Sequence, residues 1–163
     1  MVLHVDRPGK GDKTELNKEQ FLRLVEAAYD KSELKMESIF LFHLFGFQFS
    51  YNDQEKTCSI ECPVSEPMLN PAGIVHGGVF TLLTDSSMGH LLMHDKQASY
   101  VSLELKTSYF NAAHTGKIKA TARYMRDGYR VVFLESTVVN EGGELLCKTT
   151  GTFYRAEKKG QLS

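Results

Sequence analysis

Cysteine is scarce in this 163-residue chain: there are three, Cys58, Cys62 and Cys147. That is too few for a disulfide framework. Cys58 and Cys62 share one face of an expected strand with Ile60 and Val64, and so read as small core residues in a reducing compartment. A zinc pair would need further ligands at suitable spacing, and none appears. An excess of charge of either sign is also missing. Lys and Arg number 19 against 20 Asp and Glu, a net charge of −1, with no basic patch and no interleaving of basic and aromatic residues. This argues against a nucleic-acid partner. Long apolar runs are missing too. The opening MVLHVDRPGK lacks the stretch of a secretory signal. Ser38 to Phe49 holds His43 and Gln48 and is too short to cross a bilayer. A cytoplasmic protein without membrane attachment is the expectation. No internal repeat, low-complexity tract or linker divides the chain. With 42% apolar and 24% charged residues, it has the composition of one globular domain with a core.

What the chain does have is gathered in Asn70 to Met93, NPAGIVHGGVFTLLTDSSMGHLLM. The first nine residues are turn material, since Pro71 fixes φ while Gly73, Gly77 and Gly78 permit unusual backbone angles. The remainder reads as a helix. At 100° per residue its apolar side chains, among them Val79, Phe80, Leu83, Met88 and Leu92, fall nearly all the way round, as in a buried helix. From Pro67 through His94 the one formally charged residue is Asp85.

Two readings fit a lone acid in that setting. Asp85 is either a satisfied polar group bonded to Ser86, Ser87 or a strand amide, or a carboxylate poised for chemistry. The glycine pair likewise either lets the helix start near another backbone or offers amides, at the positive helix end, to an oxygen acquiring charge. Both features in one short segment suggest a site. Eight residues of helix, roughly 12 Å, separate Gly77 from Asp85. One chain cannot place both on the same carbonyl, so the arrangement predicts a two-fold dimer with two equivalent sites. His90 and His94, four apart, could share a metal but lack the glutamate of the zinc-protease pattern, and no metal site is expected.

The flanking chain has strong periodicity. Residues 1 to about 15 read as a loose polar tail. Asn17, with Gln20 three residues on, caps a helix whose apolar face is Phe21, Leu22, Leu24, Val25 and Ala28. A second helix is expected from a Ser32 cap to about Phe45, stopping at Gly46. Its Phe40, Phe42 and Phe45 serve either as core or as the cap of a ligand pocket for an aryl or medium-length chain. Phe47 to Tyr51 and Glu55 to Val64 form a hairpin through Asn52-Asp53. After the central helix, Val101 to Tyr109 alternates Val101, Leu103, Leu105 and Tyr109 with Ser102, Glu104, Lys106 and Ser108, which predicts one packed and one polar face. Lys117 to Met125, Tyr129 to Asn140 and Glu144 to Arg155 complete the sheet, joined by Asp127-Gly128 and by Glu141 to Gly143. The fold class is therefore α+β, an antiparallel sheet wrapped around one long central helix with an N-terminal helical extension.

The run NPAGIVHGGVFTLLTD, followed by ASYVSLELKTSYFNAA, resembles the hotdog-fold thioesterases, and more narrowly the PaaI-type acyl-CoA thioesterases of phenylacetate pathways. The similarity covers roughly residues 46 to 155, leaving 1–45 as an N-terminal tail with helical segments and 156–163 as a C-terminal tail. The resemblance implies hydrolysis of an acyl-CoA thioester to acid and CoA, with no metal or organic cofactor beyond the CoA of the substrate. It further implies a homodimer or a homotetramer built as a dimer of dimers, with sites between subunits. By position, Asp85 matches the family's general base or nucleophile, and Gly77 the amide that polarises the thioester carbonyl. Asn70 matches a side chain that orients thioester or water, and Ser102 a hydroxyl near the carboxylate. Asn70 also suits simple closure of the turn before Pro71. His76 is read as bonding to the loop, beside the Gly78 amide at the substrate-binding position. Ser102 falls on the polar strand face, so it reaches Asp85 across a dimer seam or through local twist. CoA phosphates would lie along backbone of Asn111, Ala112 and Ala113 and around Arg126, Gly128 and Arg130. The rival readings are a non-hydrolytic acyl-CoA or acyl-carrier binder, and a dehydratase pairing His76 with Asp85.

Overall fold

The computed structural model describes residues 16–33 and 38–156. The expected loose N-terminal tail, the middle of the second predicted helix and nearly all of the C-terminal tail lie outside them. A long helix, α3 (Gly77–Lys96), lies on a six-stranded sheet of β1 (Gln48–Asn52), β2 (Thr57–Pro63), β3 (Tyr100–Tyr109), β4 (Lys117–Arg126), β5 (Val131–Asn140) and β6 (Leu145–Arg155). Every pairing is antiparallel, in the order β1-β2-β4-β5-β6-β3. β3, although it follows the helix directly, is carried to an outer edge.

The core is the interface of α3 with the concave sheet face. Alternation along β2 and β4 buries Cys58, Ile60, Cys62, Ile118, Ala120 and Ala122. Burial pushes the thiols of Cys62 and Cys147 up to about 12, consistent with inert core residues. All three cysteines are buried and lie outside any disulfide. The helix is buried over most of its circumference, and its polar residues are paired with the sheet. Thr84 donates to Thr149 at 2.9 Å, and Ser87 and Ser136 share a hydrogen bond of 2.8 Å. Ser87 is thus committed to the sheet and does not serve Asp85. Gly151 of β6 admits the helix closely, for a Cβ there would stand 2.8 Å from Phe153 and 3.2 Å from Met88.

The N-terminal part follows its sequence signals only partly. α1 (Lys18–Lys31) has both halves of the capping box, Asn17 Oδ1 accepting from Gln20 N at 2.9 Å and Gln20 Oε1 from Asn17 N at 3.0 Å. Its predicted apolar face is only partly used. Ala28 is buried, but Phe21 and Leu22 are 40% and 53% exposed, because α1 packs chiefly on α2 (Phe40–Leu44) and not on the sheet. The predicted Ser32 cap is corrected. Ser32 is extended, and its amide and hydroxyl both donate to Tyr29 O, so it closes α1 instead of opening a second helix. Ser38 and Ile39 are non-helical, leaving α2 as five residues stopped by Gly46 at φ +66°.

β3 departs from its apparent alternation. Ser102 pairs with Phe153 but Glu104 pairs with Thr152, so Leu103 is an extra residue, a β-bulge. The bulge inverts the register of everything before it. Leu105 faces the helix as expected, whereas Val101 and Leu103 are 50% and 62% exposed. Their predicted place on the packed face is therefore wrong.

Candidate active site

The bulge decides what reaches Asp85. With the register inverted, Ser102 shares the inward side of Phe153 and its hydroxyl donates a hydrogen bond to the Asp85 carboxylate of the same chain. No dimer seam is needed for this contact; of the two expected routes the strand takes the local one, through the bulge. The acid is half-buried, on the face of α3 turned to a cavity of about 400 Å³ lined by Ile39, Phe42, Gly89, Tyr100, Val101 and Phe153 beside Asp85 and Ser102. Loss of hydration raises the Asp85 pKa above the ordinary carboxylate range, and the Ser102 hydrogen bond opposes that rise. A carboxylate held in this way is a stronger base than a solvated one, and it faces space that a small molecule can enter.

The start of α3 is a second, separate cluster. His76 is the N-cap, and its Nδ1 accepts from Gly78 N at 3.0 Å. The Gly78 amide is thus already engaged, which corrects the expectation that both glycines offer free donors. Gly77, first in the helix, has no intrahelical acceptor for its amide. Tyr109 lies over it: the phenol donates to Gly77 O at 3.1 Å, and a Cβ on Gly77 would stand 3.1 Å from the ring. Asn70 closes its loop, Oδ1 accepting from Ala72 N at 2.9 Å, which leaves its Nδ2 as the group able to face a ligand. The loop is tied to the segment after β3, since Val75 N donates to Ala113 O at 2.8 Å. Asn111 is fixed by Nδ2 donation to Leu145 O at 2.9 Å, Ala113 is buried, and Ala112 is exposed.

Within one chain these two clusters stay apart, at opposite ends of about 12 Å of helix. A third group surrounds the β4–β5 turn. Arg130 lines a cavity of about 780 Å³ with Tyr129, Arg155 and the residues after α3. Arg155 covers the Tyr129 ring, its guanidinium 4.6 Å from the centroid. Arg126 is exposed on the same hairpin but does not line that cavity. Gly128 makes the turn possible, because a Cβ there would fall 2.1 Å from Val131 O. His90 and His94 diverge: His90 stacks on Phe49 and bonds Tyr51 at 3.1 Å, while His94 meets Asp53 at 2.7 Å. Among the described residues no three metal-ligating side chains converge, and no helix is long and apolar enough to cross a membrane.

Two contributors escaped the sequence reading. Tyr109 looked like an ordinary strand residue. Gly89 lines the Asp85 cavity, and a glycine inside a helix one turn after a lone acid was the available signal.

Known proteins share this frame. The family model described as "Thioesterase superfamily" matches residues 72–147. The 1,4-dihydroxy-2-naphthoyl-CoA hydrolase of Escherichia coli is 24% identical over 97 residues, 58% of this chain and 71% of that protein. The BH2602 protein of Bacillus halodurans, solved with CoA, superposes with a TM-score of 0.73 at 21% identity, covering 90% of this chain and 99% of that one. The Escherichia coli PaaI protein of the phenylacetic acid degradation operon gives 0.70 at 18% identity over 82% and 96%. The chain is thus similar to the thioesterase superfamily through residues 72–147, and it shares its fold with these solved structures.

Proposed function

We propose that this protein is an enzyme that hydrolyses an acyl-CoA thioester to a free carboxylic acid and CoA. The observation that carries the reading is Asp85: half-buried, hydrogen-bonded by Ser102 and facing a cavity from a helix whose first amide is Gly77. A thioester is already activated toward acyl transfer. The ionised carboxylate takes a proton from a water that adds to the acyl carbon, or adds there itself, and the resulting oxyanion needs a donor. The Gly77 amide at a helix N-terminus is such a donor, with Asn70 Nδ2 beside it and His76 holding the turn in shape. The C–S bond then breaks, and CoA leaves as a thiolate that is protonated on release; where Asp85 itself has added, a water then hydrolyses the acyl–aspartyl anhydride to free the acid and restore the carboxylate.

Asp85 and Gly77 come together only if a second copy supplies one of them. β3 supports that assembly. It is a ten-residue edge strand whose Val101, Leu103 and Tyr109 are exposed, the kind of edge that pairs with another chain. A two-fold joining of β3 edges would set Asp85 opposite the partner subunit's Gly77, giving a homodimer and, by pairing of dimers, a homotetramer. Arg130 and Arg126, with the Asn111 to Ala113 backbone, suit the CoA phosphates. The reaction calls for no metal and no organic cofactor. In this reading residues 46–155 are the catalytic unit, residues before 46 a helical extension, and the setting the cytoplasm.

A thiol-release assay over a panel of CoA thioesters tests the proposal. The wild-type protein should release thiol, and Asp85→Asn should lose about 10²-fold or more in kcat, the scale of a general base. Near-normal hydrolysis by the variant would overturn the assignment. Thioesters that raise Tm without any thiol appearing would identify a non-hydrolytic acyl-CoA binder instead.

A further inference from the structure

Gly89 stands one helical turn beyond Asp85, so both residues lie on the cavity face of α3. Nothing in the fold asks for glycine there. Its φ is not among the positive ones, and a Cβ at Gly89 would meet no atom within 4 Å. At Gly77 and Gly151, by contrast, a Cβ would press on Tyr109 or on Phe153. A glycine inside a helix weakens it, so stability alone favours almost any other helix-forming residue. What the missing side chain leaves is room, continuous with the cavity of about 400 Å³ beside Asp85. The opposing wall is built by Ile39, Phe42 and Phe153, all outside the stretch 72–147 shared with the family.

We propose that Gly89 is a specificity-determining position: its bare backbone, facing Ile39 and Phe42, admits an apolar acyl group larger than acetyl alongside Asp85. The inference rests on the thioester-hydrolase reading and deepens it, naming the substrate class as CoA thioesters of medium-length or aryl-terminated acids. Side chains longer than Ala point back along a helix toward its N-terminus. A leucine at position 89 would therefore lie over the turn that carries Asp85 and fill the acyl space beside it.

The test is a panel of acetyl-, hexanoyl- and phenylacetyl-CoA on wild type, Gly89→Ala, Gly89→Leu and Ile39→Ala, with Tm and sedimentation measured on each. Gly89→Leu should lose about tenfold or more in kcat/KM for the two larger acyl groups relative to acetyl-CoA, mainly through KM. Gly89→Ala should raise Tm by about 2–4 °C, the signature of a glycine that the fold does not need. Ile39→Ala should shift preference toward the larger groups. An unchanged acyl profile in Gly89→Leu, with wild type active, would overturn the inference alone. Conversion of Gly89→Leu to a monomer would also overturn it, by making position 89 a contact between copies. Absence of thiol release by wild type on every thioester would instead bring down the hydrolase reading on which it stands.

Discussion

At the scale of single residues, the position of Asp85 has consequences for both stability and activity. Desolvation holds its pKa above the ordinary value, so the folded protein binds that proton more tightly than the unfolded chain. Between the two values stability falls as pH rises, and above the folded value the full penalty is in place. Asp85→Asn removes the penalty. The variant should melt at or above the wild-type Tm at neutral pH, with the difference closing as pH drops through the folded value, as a calorimetric pH series would record. A lower Tm at neutral pH would show that the carboxylate is structural. Turnover needs the ionised form, so the acid limb of kcat/KM should lie above the ordinary carboxylate range. Ser102 stabilises that form by its hydrogen bond, and Ser102→Ala should move the limb to still higher pH. A move to lower pH, read from pH–rate profiles, would remove Ser102 from the site. The acid itself stood out in the sequence as the lone charge of an apolar helix. Its partner did not, because the alternation of β3 placed Ser102 on the wrong face.

At the scale of elements, the start of α3 sets a cap beside the amide proposed as the oxyanion donor. His76 Nδ1 accepts from Gly78 N, as an N-cap side chain does, and this holds the first turn where the Gly77 amide must point. His76→Ala should cost about 1 kcal/mol in denaturant unfolding, the usual worth of a cap, together with part of kcat. Asparagine is a good N-cap but a poor base, so His76→Asn should retain both stability and most turnover. Loss of turnover in His76→Asn with stability intact would make the imidazole a proton carrier. The elements were legible in proportion to how local their causes are. The capping box of α1 and the all-round apolar pattern of α3 are short-range signals, and both appear where the sequence placed them. α2 and the bulge were not legible. α2 runs only from Phe40 to Leu44 and was drawn too long, and a bulge inserts one residue without changing any propensity.

At the scale of the whole molecule, the edge strand makes the strongest demand. β3 leaves Leu103, the bulged residue, 62% exposed beside Val101 at 50%, on an edge that no other strand of the described residues covers. Isolated apolar residues on a surface are unremarkable, but a run of them on a long edge strand is a liability unless covered. Covering by a second copy would also bring Gly77 to Asp85. Leu103→Lys should therefore yield a monomer in sedimentation velocity and abolish thiol release together, while far-UV circular dichroism stays native. A monomer with full turnover would show that each chain holds a complete site.

The sequence by itself determined the parts that depend on neighbours within a few residues: the helix caps, the buried central helix with its one acid, the alternation of β2 and β4, and the turns that punctuate them. It also carried the motif on which the resemblance rests, because HGG-x6-D lies within one helix and its approach loop. Only the tertiary structure decided which side of β3 faces Asp85, that Gly78 is already capped, and that Phe42 and Gly89 share a cavity. Those facts follow from register and packing between segments tens of residues apart. A one-residue slip in a strand exchanges its two faces while leaving the local pattern of residues untouched.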